Sequence, residues 1–237
     1  MWELLKYLIL GTGVLAYPFM QISLFICTVF LNDKDEIDTS RAVEADKGNA
    51  GKVPDLEIML CPHHVRDSPA DPEESKTGVF SFLVALIQPR SVGSVRLAST
   101  DPQDRAKVEL NYLNHPDDVT SLKKGVRFVE RLADEVRRQG YPLGQMRSPP
   151  VTSPEFDAFL RANIRSAYHF TSTCRMAPLS DSRPGVVDDE LGVHGVSGLR
   201  ICDTSVFTEP LATHTMAPAV VVAEKLADIL KLRHTSA

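Results

Sequence analysis

The sequence predicts a mixed α/β fold, α+β by local content, in which an antiparallel sheet is backed by helices. Three observations predict it. Near the middle of the chain apolar residues recur at helical steps, several shorter runs are strand-like, and glycine and proline punctuate the boundaries between them. The 237 residues suffice to bury a real core in one large domain or two small ones.

The first run, Leu4 to Leu31, is nearly all apolar, interrupted by Lys6, Gly11, Gly13, Pro18, Gln21 and Ser23. It is long enough to span a bilayer. It also resembles a signal peptide, although Glu3 offsets Lys6 and no Ala-x-Ala cleavage site follows. A buried hydrophobic hairpin of a larger domain, broken in two at Gly11–Pro18, is the third reading, and all three stay open at this point. Asn32 to Val53 is polar and reads as an exposed loop. Leu56-Glu57-Ile58-Met59-Leu60 is a strand candidate, followed by a loop broken by Pro62, Pro69, Pro72 and Gly78. Val79 to Ile87 and Ser94 to Ala98 read as two further strands, with Gly93 as a turn joining them as antiparallel neighbours.

A helix follows. Pro116 suits its first turn, Asp117 and Asp118 favour its positive start, and Arg137 and Arg138 its negative end. Val119, Leu122, Val126, Val129, Leu132, Ala133 and Val136 share one face, and Gly140 and Pro142 stop the helix. Ser153 suits the N-cap of a second helix, Pro154 to Asn163. Leu199 to Cys202 reads as a strand ending at Asp203, and a last helix runs from near Pro218 to about Leu230.

Charge and cysteine content exclude some classes. Lys and Arg number 26 against 31 Asp and Glu, with no basic run, so nucleic acid is not an expected partner. Cys27, Cys61, Cys174 and Cys202 are scattered without a Cys-x-x-Cys pair. They indicate neither a zinc site nor a disulfide framework, and no metal is expected.

The chemistry concentrates in the last third. His63, His64, His115, His194 and His234 read as surface or satisfied core residues, whereas His169 and His214 have distinctive settings. The residues from His214 to Ala217 lie at the entrance of the last helix, where N–H groups and the helix dipole favour an anion. An imidazole there suits catalysis, and it equally suits a simple helix cap.

The order Tyr168-His169, Thr173-Cys174-Arg175-Met176, Gly185-Val186-Val187-Asp188, Gly198-Leu199-Arg200-Ile201-Cys202-Asp203-Thr204-Ser205 and Thr213-His214-Thr215 before an apolar helix resembles the carboxy-terminal signature of the glucose–methanol–choline oxidoreductases. Pro54-Asp55-Leu56-Glu57-Ile58 and Gln88-Pro89-Arg90-Ser91-Val92-Gly93 resemble substrate-domain strands of that family. Gly11-Thr12-Gly13, in the hydrophobic start, is similar to a segment of its aryl-alcohol and choline dehydrogenase-like members.

The resemblance implies an FAD-dependent enzyme that oxidises the CH–OH group of a small alcohol. His169 would be the base that takes the hydroxyl proton while hydride passes to the flavin N5, and His214 would hold the substrate oxygen. Asp203 and Thr204 resemble positions near the FAD phosphates and ribityl chain, and Thr215 and Met216 resemble contacts to the flavin ring. Arg175 is a flavin or a structural contact. Residues 1–53 would be a hydrophobic substrate-domain segment and polar loop. Residues 54–168 would form the substrate domain, and 169–237 the catalytic segment with the closing strand and helix of the FAD domain.

A complete member opens with a strand–Gly-x-Gly-x-x-Gly–helix unit for the ADP half of FAD. The expectation is that this amino-terminal part is missing, which would leave the isolated chain incomplete as an enzyme. Leu8-Ile9-Leu10-Gly11-Thr12-Gly13, with Asp33, Asp35 and Glu36 downstream, supports a rival reading as a small nucleotide-binding domain. Pro18 weakens it by falling inside the required helix. A catalytically silent fragment or a membrane-associated interaction protein is the alternative from another class. A serine hydrolase is remote because no Gly-x-Ser-x-Gly elbow exists.

Overall fold

The structure is a computed structural model that describes residues 1–16, 22–32, 34, 36–38, 40, 53–61 and 79–235. The loop expected between Asn32 and Val53 lies largely outside the described residues. Pro18, His63, His64 and the loop carrying Pro62, Pro69, Pro72 and Gly78 lie outside them altogether. The chain forms two compact units, Met1–Leu86 with Leu122–Gln145, and Ile87–Ser121 with Met146–Ala237.

In the first unit, α1 (Trp2–Leu5) runs into a π-helical turn, Lys6–Leu10, which ends at Gly11 in the left-handed region (φ 61°). A 3-10 turn, Val14–Ala16, follows. No strand therefore precedes Gly11-Thr12-Gly13, and the strand–glycine–helix context of a nucleotide-binding unit is missing there. Leu4, Leu5, Tyr7, Leu8, Ile9 and Leu10 are exposed on this chain. Among the described residues no helix is long and apolar enough to cross a membrane.

Strand β1 (Ser23–Ile26) pairs antiparallel with β2 (Leu56–Cys61), and β2 with β3 (Ser81–Leu86), in the order β1-β2-β3. The central strand is covered on both faces: Leu56, Ile58 and Cys61 are at most 1% exposed. That explains why its apolar residues do not alternate with polar ones as in a half-buried strand; its one polar residue, Glu57, is itself buried. Helix α2 (Pro116–Arg138) supplies its residues from Leu122 onward to this unit. Leu122, Gly125, Val129 and Ala133 form its buried stripe. A Cβ on Gly125 would lie 2.6 Å from Val84 Cγ1 and 2.8 Å from Leu56 Cδ1. The helix lies close on the sheet because this residue has no side chain.

In the second unit β4 (Ser94–Arg96) pairs antiparallel with β5 (Lys107–Glu109). This corrects the expected pairing of Ser94–Ala98 with the preceding strand. Gly93 is needed because a Cβ there would lie 2.2 Å from the Glu109 carbonyl oxygen. β5 escaped the sequence reading because its three residues carry a single apolar side chain. At the start of α2, Asp118 is buried and accepts the backbone N–H groups of Arg90 (2.8 Å) and Ser91 (2.9 Å). Helix α3 (Phe156–Asn163) begins two residues later than expected, without a side-chain cap, and buries Phe156. Helix α4 (Met216–Thr235) begins ahead of Pro218, which sits in its first turn and so removes no helical hydrogen bond.

Leu199–Cys202 is not a regular strand. Arg200 forms a single bridge with Gly192, while Val193 N donates to Leu199 O (3.0 Å) and Ile201 N to Leu191 O (3.1 Å). The turns at Gly195 (φ 77°) and Gly198 (φ 79°) bend the chain too soon for a longer ladder. The core of this unit is Val187, Leu191, Val206 and Phe207, packed by Met176, Ile201, Leu211, Val222 and Leu226, among others.

Gly125→Ala should destabilise the first unit. Alanine gains at most about 1 kcal/mol of helix propensity, against roughly 1–3 kcal/mol for overpacking. Cys61 is fully buried, and burial raises its thiol pKa, so alkylation of Cys61 reports opening of this unit. A net loss of 1–2 kcal/mol should speed that alkylation about 5–30-fold. An unchanged rate would mean that helix and sheet are not in close contact at Gly125.

Candidate functional site

The site is built from the turn that follows Cys202. Asp203 opens a 3-10 turn, Thr204–Val206, with its carboxylate accepting Ser205 N–H at 2.7 Å. The carbonyls of this turn receive a neighbouring extended segment. Ser172 N–H donates to Thr204 O (3.4 Å), Cys174 N–H to Ser205 O (2.9 Å) and Met176 N–H to Val206 O (2.8 Å). Thr204 Oγ1 donates to Phe170 O at 2.8 Å. The same segment holds Tyr168 and Ser172 in the left-handed region, at φ 60° and 70°. Such conformations cost a non-glycine residue roughly 1–3 kcal/mol and persist only where surrounding bonds impose them. They bracket His169, Phe170 and Thr171.

The second histidine arrives from the other side of the turn. After buried Phe207 the chain passes Pro210, whose carbonyl accepts the Gln88 side-chain N–H at 2.5 Å. His214 stands two residues before α4. Thr215 O receives Ala219 N–H (3.0 Å), the first bond of that helix. The leading N–H groups of a helix have no partner within it and give its start a partial positive charge.

His169 is half-buried and His214 exposed. Their rings meet edge to face, with centroids 4.7 Å apart and planes at 81°. Two imidazoles this close can both address one small polar atom, each as donor or acceptor according to its protonation. Tyr168 and Phe170 form a second edge-to-face pair, centroids 6.5 Å apart.

Asp203 is exposed, with one carboxylate oxygen committed to Ser205. The Thr204 hydroxyl is turned to Phe170 O, Thr215 is half-buried, and Met216 is 80% exposed as the first residue of α4. Arg175 pairs with Asp181 (3.3 Å) and donates to Arg183 O. The thiol of Cys202 is held above its usual pKa by burial and then by the Asp203 carboxylate. Among the described residues, no group of three or more His, Cys, Asp or Glu side chains could hold a metal ion.

Two features escaped the sequence reading. Ser205 Oγ is buried and has no hydrogen-bond partner among the described residues. Gln88 ties the His214 loop from a position far back in the sequence, and no local pattern could signal that contact.

The family model described as GMC oxidoreductase matches residues 89–223. Mitochondrial choline dehydrogenase of Mus musculus is 34% identical over 181 residues, covering 75% of this chain and 30% of its own length. Glucose dehydrogenase (FAD, quinone) of Drosophila melanogaster is 36% identical over 156 residues, covering 62% and 25%. The chain therefore spans about a quarter to a third of the length of these curated relatives. A formate oxidase variant of Aspergillus oryzae matches with a TM-score of 0.75 at 25% identity, over 99% of this chain and 42% of that one. A fungal aryl-alcohol oxidase matches with a TM-score of 0.59 at 30% identity, over 84% and 31%.

Gln88→Met removes the donor to Pro210 O and keeps the side-chain length. Amide exchange in residues 208–214 should rise about fivefold, the loss of roughly one net hydrogen bond. Unchanged exchange would show that the loop is held by other contacts.

Proposed function

The chain belongs to the GMC oxidoreductase family, and from that premise we propose that it carries the substrate-handling part of an FAD-dependent oxidoreductase acting on the CH–OH group of a small alcohol. One observation carries the reading: two imidazoles from separate segments, edge to face at 4.7 Å, beside a helix start.

In this reading His169 is the general base. Its ring nitrogen takes the hydroxyl proton, and the alkoxide character that results raises the hydride-donating power of the adjacent carbon. His214 donates a hydrogen bond to the same oxygen and stabilises the charge that develops there. The α4 start adds a fixed positive potential at no reorganisation cost. FAD, when bound, supplies the acceptor for the carbon-bound hydrogen as hydride.

The residues present suit the flavin end of that cofactor. Exposed Met216 offers apolar surface to a ring, and the helix start favours an anionic ring edge. The Asp203 carboxylate repels phosphate but can accept from ribityl hydroxyls, so we assign it to the ribityl chain. The Thr204 hydroxyl, already donating to Phe170 O, can still accept, and Thr215 lies between His214 and Met216. The ADP half needs a strand–glycine–helix unit, and the π-helical turn before Gly11 does not provide one. We therefore assign to this chain most of the substrate domain together with the closing segment and helix of the FAD domain. The extended Leu199–Cys202 segment and α4 are the elements so assigned.

Rapid-mixing measurement of flavin reduction by alcohol, in FAD-loaded protein carrying this chain, tests the roles. His169→Ala should slow reduction by about a hundredfold or more with FAD still bound, as for loss of a general base. His214→Ala should slow it as well. An unchanged rate in His169→Ala removes that residue from the mechanism.

A further inference from the structure

We propose that Thr204 is a positioning residue for His169, its hydroxyl committed to fixing the backbone that presents the imidazole. The inference builds on the role given to His169 above, but it concerns geometry and can be tested separately.

Thr204 holds the histidine segment from two sides. Its Oγ1 donates to the carbonyl of Phe170, the residue after His169, at 2.8 Å. Its own carbonyl receives Ser172 N–H at 3.4 Å. Between these bonds lies only Thr171. The segment they fasten has left-handed backbone at Tyr168 and Ser172, so it sits uphill of its local preference. Relaxation at either residue would swing the Cα–Cβ bond of His169 and carry the ring away from His214.

The anchor is itself rigid. Ser205 N–H is held by the Asp203 carboxylate, Val206 N–H donates to Asp203 O (3.3 Å), and Val206 is fully buried in the core. Threonine also suits the task better than serine, because its branched Cβ restricts the torsion that aims the hydroxyl. Valine has nearly the same shape and cannot donate.

The test is NMR of protein labelled at histidine Cε1, reading the cross-relaxation between the ring protons of His169 and His214. That signal should be present in the parent protein, weakened about five- to tenfold in Thr204→Val, and largely restored in Thr204→Ser, the scale expected for one net hydrogen bond. The resonances of His115 and His194 should not move, which separates loss of positioning from general unfolding. In FAD-loaded protein the flavin reduction rate should fall by a similar factor in Thr204→Val and recover in Thr204→Ser. A parent-strength signal in Thr204→Val overturns the proposal, as does Thr204→Ser failing to restore it. Should the valine variant not fold, Thr204→Ala replaces it, and a parent-strength signal there is equally fatal. If His169→Ala leaves the rate unchanged while Thr204→Val loses the ring contact, the catalytic reading fails and the positioning stands.

Discussion

The position of His169 depends on a short backbone ladder between the Thr204–Val206 turn and the segment Ser172 to Met176. The ladder draws its stability from the core beneath it. Val206 is fully buried, and Met176 packs against the same cluster as Val187, Leu191 and Phe207. Burial of these side chains, each worth about 1.5–3 kcal/mol, offsets the left-handed backbone at Tyr168 and Ser172. The strained end of the segment carries the imidazole, and the relaxed end is sunk in the core.

Close backbone contact is the general building method in this part of the chain. A Cβ on Gly185 would lie 2.3 Å from Ala177 N, so only glycine lets the strands of loop come together there. Val186 N–H donates to Arg175 O (2.8 Å), Ala177 N–H to Val187 O (3.1 Å), and Met176 bridges Val187. Asp188 then closes its own turn by accepting from Glu190 N–H and Gly192 N–H. Loops of this kind carry almost no regular strand, yet their backbone groups are paired with one another. They can therefore hold side chains in conformations that a regular sheet would not allow.

The chemistry proposed for the site follows from that construction. A base and a hydrogen-bond donor must converge on one oxygen, and the two must not drift apart when substrate arrives. One imidazole comes from the strained segment and the other from a loop tied by Gln88 just before α4. Independent supports let the two rings meet edge to face without sharing a helix or a strand. The start of α4 adds a positive potential that belongs to the backbone and is fixed whenever the helix is formed.

The sequence by itself determined the elements with a strong local signal. Helix α2 spans the expected Pro116–Arg138, because its apolar stripe and terminal charges are local properties. Strand β2 is apolar except for Glu57, a local pattern that marks a strand. The family was legible from motif order, since Tyr168-His169, Asp203-Thr204-Ser205 and Thr213-His214-Thr215 stand in the family's succession. Pairing was not legible. Gly93 looked like a turn but is the point where the Glu109 carbonyl approaches, and Leu199–Cys202 looked like a strand but forms one bridge. Each depends on which segment lies alongside, and that is settled by contacts between residues far apart in the chain. The same holds for Thr204 and Gln88, whose polar groups act on Phe170 and Pro210. A hydrogen bond across such a separation leaves no periodicity to read, so only the tertiary structure decides it.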